Sequence, residues 1–298
     1  IISNQIAGRI LVPKYGTKLV MSLAFPIVTF SALLTVISSS YFYFLLTFIS
    51  GGIGWGASGP IGGIHSQLIE RHFKKIITPY YAMGFNLGIL IGGGLAGLIM
   101  RNNYEPYISF TILSFLSILV SYFVYSFGLP RDLDFKGEGE KFKFPETNVL
   151  LFGFLLFFVF GSGGIIMDWS TLWLSKDLNT PLYLASMGLI FFSIGGIFAN
   201  LFSNSLINLF TEKVVGCHFV MIGAAIMFLS LLTNNFYIIL GVLCIYGFAI
   251  ANLVPIIIRQ AVKQSNESIP MTVTNLITIG LSSTMILPAG IGFLAETY

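Results

Sequence analysis

Asp168 stands inside a long apolar run, Val149 to Leu174, and no other acidic residue is so clearly placed within one. An ionisable side chain at bilayer depth costs at least ~2.5 kcal/mol on insertion scales, so it marks work done on a charge or a proton. Two readings stand side by side. In one, Asp168 is a proton or substrate-charge partner; in the other it lies near the outer end of its helix, wetted beside Trp169 and Trp173 in an interfacial aromatic belt. Asn86, Asn200, Asn204, Asn252 and Asn275 also fall in or at the ends of apolar runs, where an unpaired amide must face another helix or a wet cavity. Helix–helix bonding is the commoner use. Asn86 and Asn252, deep in glycine-rich stretches, are the preferred cavity residues, with Asn275 as a further hydrogen-bonding group and Trp55 or Trp169 as a stacking surface.

Enzyme chemistry finds no foothold. There is no Ser/His/Asp grouping and no HExxH, and His65, His72 and His218 lack ligand spacing. Cys217 and Cys244 lie in apolar stretches, which argues against a disulfide framework or a metal site. The glycine clusters Gly51-Gly52-x-Gly54-x-Gly56, Gly92-Gly93-Gly94-x-x-Gly97 and Gly195-Gly196 sit within helical runs, and no Gly-Lys-Ser/Thr follows, so they read as close helix packing instead of a phosphate loop. No enzyme, cofactor or metal is expected.

The elements that must hold these residues are membrane helices. The 298-residue chain is 55% hydrophobic and 9% charged, with mean hydropathy +0.88, against roughly 25% charge in soluble domains. A span needs about 20 apolar residues for a hydrocarbon core of about 30 Å. Leu19–Ser38, Phe42–Ile64, Tyr80–Met100, Tyr107–Phe127, Val149–Leu174, Leu182–Phe210, Val214–Leu232, Phe236–Ile258 and Met271–Ala295 meet that length. They are too uniformly apolar for barrel strands, so helices are predicted. Ile1–Val12 resembles the tail of a further span, and no signal peptide is visible, so a fragment or an upstream start is expected.

Orientation follows from the cations. Arg9, Lys14, Lys18, Arg71, Lys74, Lys75, Arg131, Lys136, Lys141, Lys143, Lys213, Arg259 and Lys263 fall at or near every second connection, leaving Arg101 and Lys176 for the others. The rich side is cytoplasmic by the positive-inside rule, and the scatter of the net charge of +3 over short loops is no nucleic-acid footprint. Arg9 and Arg259 are expected to snorkel to lipid phosphates. His65 reads as an interfacial histidine in preference to a titrating gate. Glu70 and Arg71, beside Lys74 and Lys75, are expected to form a gate or a loop salt bridge.

The stretch GLPRDLDFKGEGEKFKFPET, residues 128–147, breaks the apolar pattern and reads as a solvated linker between two groups of spans. The groups are related. Gly8-Arg9-x-Leu11-x-x-x-Tyr15-Gly16 parallels Ser203-Asn204-x-Leu206-x-x-x-Phe210-Thr211 at a shift of 203 − 8 = 195, and Lys18/Lys213, Gly52/Gly247, Pro60/Pro255 and Gly97/Gly292 share it. Pro60, Pro255 and Pro288 are expected to interrupt their helices. The predicted organisation is an N-terminal half, 1–128, a cytoplasmic linker, 129–147, and a C-terminal half, 148–298.

Two parallel halves joined by a charged loop resemble transporters of the major facilitator superfamily. Pro13-Lys14-Tyr15-Gly16-Thr17-Lys18 is similar to that family's short basic signature: Lys14, Gly16 and Lys18 keep the expected types, and Pro13 stands where an acid is usual. Met167–Leu174, Pro288–Glu296, and Gln67–Arg71 with Gly84-Phe85-Asn86-Leu87-Gly88 resemble the fucose-permease-like branch. That branch often carries an acid where Gly163 stands, and its absence here weakens proton coupling. The resemblance implies an all-α, polytopic bundle of two pseudo-symmetric halves on a twelve-helix plan, against which the first and last helices are missing. It implies a monomeric inner- or plasma-membrane transporter moving a small polar, sugar-like solute by alternating access, with protons as a second partner and Lys14, Gly16, Lys18, Glu70 and Arg71 in gating loops. An exporter of drugs or metabolites, or a degenerate non-transporting sensor or assembly protein, are the alternatives.

Overall fold

The computed structural model describes residues 1–137 and 139–297, with side chains described as far as Leu294; Glu138, Tyr298 and the side chains of residues 295–297 lie outside the described residues. All regular structure among them is helical. Backbone N–H and C=O groups in hydrocarbon must be satisfied within the segment, and a helix does this for any apolar sequence. Among the described residues nine helical stretches are long and apolar enough to cross a membrane, three of them, Leu182–Leu201, Ser203–Ser230 and Phe236–Gln264, built from consecutive shorter helices.

A first helix, α1, runs through Ile2–Ile6, a π-turn segment Ala7–Leu11, and Val12–Tyr15. It is followed by α2 Thr17–Val36, α3 Tyr41–Phe73, α4 Thr78–Arg101, α5 Tyr107–Phe127 and α6 Thr147–Lys176. After a one-turn piece, Leu182–Ala185, come α7 Met187–Leu201, α8 Ser203–Lys213, the π-turn Val214–His218 leading into α9 Phe219–Ser230, α10 Phe236–Ile250, α11 Leu253–Gln264 and α12 Ile269–Thr297. Pro60 and Pro288 lie inside unbroken helices. Pro255 behaves differently, sitting in the first turn of α11, where its missing N–H costs no helical bond.

Burial is inverted relative to a water-soluble protein. On α5 the buried residues are Ser109, Ser114, Ser117 and Ser121, while Ile112, Phe115, Leu116, Ile118, Leu119, Tyr122 and Phe123 are exposed. The serines bond across helices: Ser117 Oγ lies 2.7 Å from Thr29 Oγ1, and Ser114 Oγ donates to Thr29 O at 3.0 Å. Small polar groups hold helices together and large apolar ones face outward, as a lipid solvent requires.

The repeat is visible in the backbone. Gly16 breaks the chain between α1 and α2 with φ 88°, ψ 158°, and Thr211, at the same shift of 195, does so with φ 71°, ψ 155°. Glycine takes positive φ without penalty; a β-branched threonine there is strained and is held by its surroundings. Thr17 and Glu212, the next residues, are each tied to a later helix, Thr17 to His65 on α3 and Glu212 to Arg259 on α11.

The chain clusters into two compact units that interleave the sequence: residues 1–77, 103–153 and 260–279 in the first, and 78–102, 154–259 and 280 onward in the second. In the first, α2 packs on α3 and α5, with Ser31 Oγ 2.7 Å from Ser50 Oγ. In the second, Ile166, Leu174, Ala185, Phe192, Ile239, Leu240, Leu243 and Ile250 form a core from α6, the one-turn piece, α7 and α10.

Candidate functional site

Pro13 organises the basic loop signature by what it lacks. Without an N–H it leaves the carbonyl four residues back, that of Arg9, free of its helical partner, and the linker takes it: Glu140 N–H donates to Arg9 O at 3.0 Å. Pro13 O accepts from Arg131 Nη2 at 2.5 Å and from Gly137 N–H at 3.4 Å. The linker is therefore strapped to α1.

The Arg9 side chain fixes the same strap from the other direction. Its Nη1 donates to Lys141 O at 3.0 Å, its Nη2 to Lys143 O at 3.4 Å and to Asn275 Oδ1 at 2.6 Å, and its Nε to Gln5 Oε1 at 2.5 Å. Arg9 is only 3% exposed. The expected snorkelling is thus replaced by protein contacts, because α12 and the linker supply enough acceptors to satisfy a desolvated guanidinium. Asn275 continues the network, its Nδ2 donating to Glu267 Oε2 at 3.0 Å. Gln5 Nε2 donates to Thr278 Oγ1 at 2.7 Å and Asn4 Nδ2 to Thr274 O at 3.2 Å; Asn4 Nδ2 also meets Thr278 Oγ1. A side chain at Gly8 would collide with the Thr274 side chain, so α1 presents bare backbone to Thr274 of α12 here.

A second buried cluster lies at the Gly16 break. Asp134 Oδ2 accepts from Thr17 N–H at 2.6 Å and from Thr17 Oγ1 at 2.9 Å, capping α2 from the linker. Thr17 Oγ1 also lies 2.6 Å from His65 Nδ1. An ionised carboxylate only accepts, so the single hydroxyl proton goes to Asp134 and His65 Nδ1–H must donate to the hydroxyl. His65 is a linker anchor here. Removing the cap by Asp134→Ala is expected to cost about 1–2 kcal/mol, read as a lower thermal midpoint of the detergent-solubilised chain. Hydrogen exchange at the start of α2 should rise with it; unchanged protection there would refute the assignment.

In the second unit the two preferred amides meet one helix. Asn252 Nδ2 donates to Ala199 O at 3.0 Å, and the Asn86 side chain covers Gly196, where an added Cβ would lie 2.8 Å from the amide. Asn86 also donates to Ala82 O at 3.1 Å. Both therefore reach α7 within one turn. Arg259, expected at the lipid surface, is instead buried and ion-paired with Glu212. Asp168 is exposed on α6 with no partner among the described residues, while Trp169 packs on Gly292 of α12, 3.0 Å from where a Cβ on that glycine would stand. Trp55 is exposed on α3.

The gating-loop residues separate. Gly16 carries the break, packed beside Asp134 and Arg131. Lys14 Nζ lies 5.3 Å from the Tyr15 ring and Lys18 Nζ 5.1 Å from the Tyr125 ring. Glu70 closes the α3–α4 connection, accepting from Ile77 N–H at 2.7 Å and Gln67 Nε2 at 3.2 Å, and Arg71 is exposed beside it. Thr17 and Arg131 enter the sequence reading only as parts of the basic signature and the cation pattern, and Gln5, Asp134, Glu267 and Thr278 are not singled out by it, although the acids of the linker, three to four residues from its cations, are a visible signal. Among the described residues no group of three or more His, Cys, Asp or Glu could hold a metal ion.

Comparison with known proteins extends this picture. The model of the Major Facilitator Superfamily matches residues 1–292. An uncharacterized MFS-type transporter of Yersinia pestis is 23% identical over 293 residues, covering 96% of this chain and 74% of that one. The membrane protein MosC of Rhizobium meliloti is 24% identical over 263 residues, covering 85% and 62% respectively. Among solved structures, a bacterial homolog of the human lysosomal transporter Spinster, in an inward-facing and occupied conformation, has a TM-score of 0.58 at 16% identity, over 93% of this chain and 69% of that chain. At that identity the likeness is one of fold.

Proposed function

Because the chain belongs to the Major Facilitator Superfamily, we propose that it is a secondary active transporter moving a small polar solute by alternating access between halves 1–128 and 148–298, joined by the linker 129–147. The family match over residues 1–292 is the observation that carries this reading. The solute class rests on the amides. Asn86 of α4 and Asn252, just before α11, both packed against α7, offer donors and acceptors in an otherwise apolar setting, and Trp55 and Trp169 offer ring faces, an inventory suited to a neutral, sugar-like solute. The likeness to the fucose-permease-like branch points the same way. With the basic loops cytoplasmic, the protein sits in the inner or plasma membrane as a monomer.

Asp168 is the coupling group in this reading. Exposed and without a partner among the described residues, it can exchange a proton or meet a charge on the solute. Uptake by vesicles reconstituted with the protein, with and without an imposed proton gradient, tests it. Asp168→Asn is expected to abolish gradient-driven accumulation and keep downhill exchange, with stability changed by no more than about 0.5 kcal/mol. Accumulation that persists in the variant removes Asp168 from the mechanism. Absence of flux across a broad panel of solutes favours the sensor, a reading supported by Pro13 at the usual position of an acid; flux only in the outward direction favours the exporter.

A further inference from the structure

The linker sorts its charges by direction. Asp134 caps α2, Glu140 Oε1 accepts from Ser268 Oγ at 2.5 Å, Glu146 Oε2 accepts from Asn266 N–H at 3.2 Å, and Asp132 pairs with Lys136 at 3.3 Å. The described acids are thus engaged by the protein. Lys141 and Lys143 are exposed and form no ion pair among the described residues. Between and beside them, Phe142 and Phe144 are 71% and 76% exposed.

This segment is held in place. Arg9 binds the carbonyls of Lys141 and Lys143 and stands 5.0 Å from the Phe142 ring centre, so the rings and cations are displayed by a pinned strand of chain. Its level is set by α6, which begins at Thr147 and turns apolar at Val149, shortly after Phe144. That is the zone where hydrocarbon gives way to headgroups, and aromatic rings and lysines both concentrate there.

We propose that Lys141–Phe144 is a lipid-binding strap: Phe142 and Phe144 enter the interfacial layer, and Lys141 and Lys143 bind the phosphates of an anionic glycerophospholipid. Charge complementarity selects the anionic class, since the segment Lys-Phe-Lys-Phe carries two cations and no acid. Each lysine near an anionic surface strengthens binding about fivefold, so the pair contributes about 30-fold, whereas the rings act on any phospholipid. Because Arg9 also holds Gln5 and Asn275, lipid bound at the strap is one residue away from the contact between α1 and α12.

The test titrates the purified full chain with phosphatidylglycerol and, separately, phosphatidylcholine, counting bound lipid by native mass spectrometry. Phosphatidylglycerol is expected to bind at least about tenfold more tightly. The double variant K141Q/K143Q should lose most of that preference, and F142S/F144S should weaken both lipids while preserving their ratio. A second readout locates the site: the amides of residues 141–144 donate to no acceptor among the described residues, so their exchange should slow in nanodiscs containing phosphatidylglycerol relative to phosphatidylcholine alone. Equal affinity for the two lipids, a preference that survives K141Q/K143Q, or exchange at 141–144 indifferent to lipid would each overturn the proposal.

Discussion

Arg9→Ala is expected to lower the unfolding free energy by about 3 kcal/mol, because a buried guanidinium with several partners disappears and its acceptors stay behind. Gln5 Oε1, Asn275 Oδ1 and the carbonyls of Lys141 and Lys143 would all lose a donor at once. Some recover water, since the linker is open to solvent, which keeps the figure well below the sum of separate bonds. Arg9→Lys separates charge from geometry: an ammonium reaches one or two of these oxygens, so an intermediate loss is expected. Thermal unfolding of the detergent-solubilised chain supplies the measurement. Hydrogen exchange should show protection lost together at Glu140 and Glu146, whose N–H groups bond Arg9 O and Glu267 Oε1. A variant as stable as the parent would mean the guanidinium spends its time elsewhere.

What the sequence disclosed and what it withheld divide along a physical line. Helices over apolar runs were legible because lipid leaves the backbone no alternative, and the duplication was legible because Gly16 and Thr211 mark the same turn in both copies. The serine face of α5 could have been read from its spacing. Arg9 was misread as a snorkelling cation because its partner Asn275 lies 266 residues away, and a local window gives no view of it. The linker was read as merely solvated for a different reason: its anchors are largely main-chain carbonyls at Arg9, Pro13, Lys141 and Lys143, which every residue type carries alike. Asp134 and His65 are the exception, since a carboxylate, a hydroxyl and an imidazole are distinctive types, yet only the fold brings them to one point.

The glycines give the second large effect, because their roles differ sharply by position. α7 and α10 approach so closely that a Cβ on Gly195 would run into the carbonyl of Cys244, and one on Gly247 into the carbonyl of Phe192. Each glycine covers backbone of the opposite helix, so no side-chain rearrangement relieves the clash. Overpacking a core ordinarily costs about 1–3 kcal/mol when side chains can adjust; with rigid backbone as the obstacle, Gly195→Val should exceed that range and leave little folded protein. Gly92 on α4 faces open space, with nothing within 4 Å of an added Cβ. There the preference of helices for alanine over glycine, about 1 kcal/mol, acts unopposed, so Gly92→Ala should be neutral or stabilising. Monodisperse yield on gel filtration and thermal midpoint distinguish the two substitutions. If both behave alike, the close approach of α7 and α10 is not what glycine serves at position 195, and the packing that seats Asn252 against Ala199 needs another explanation.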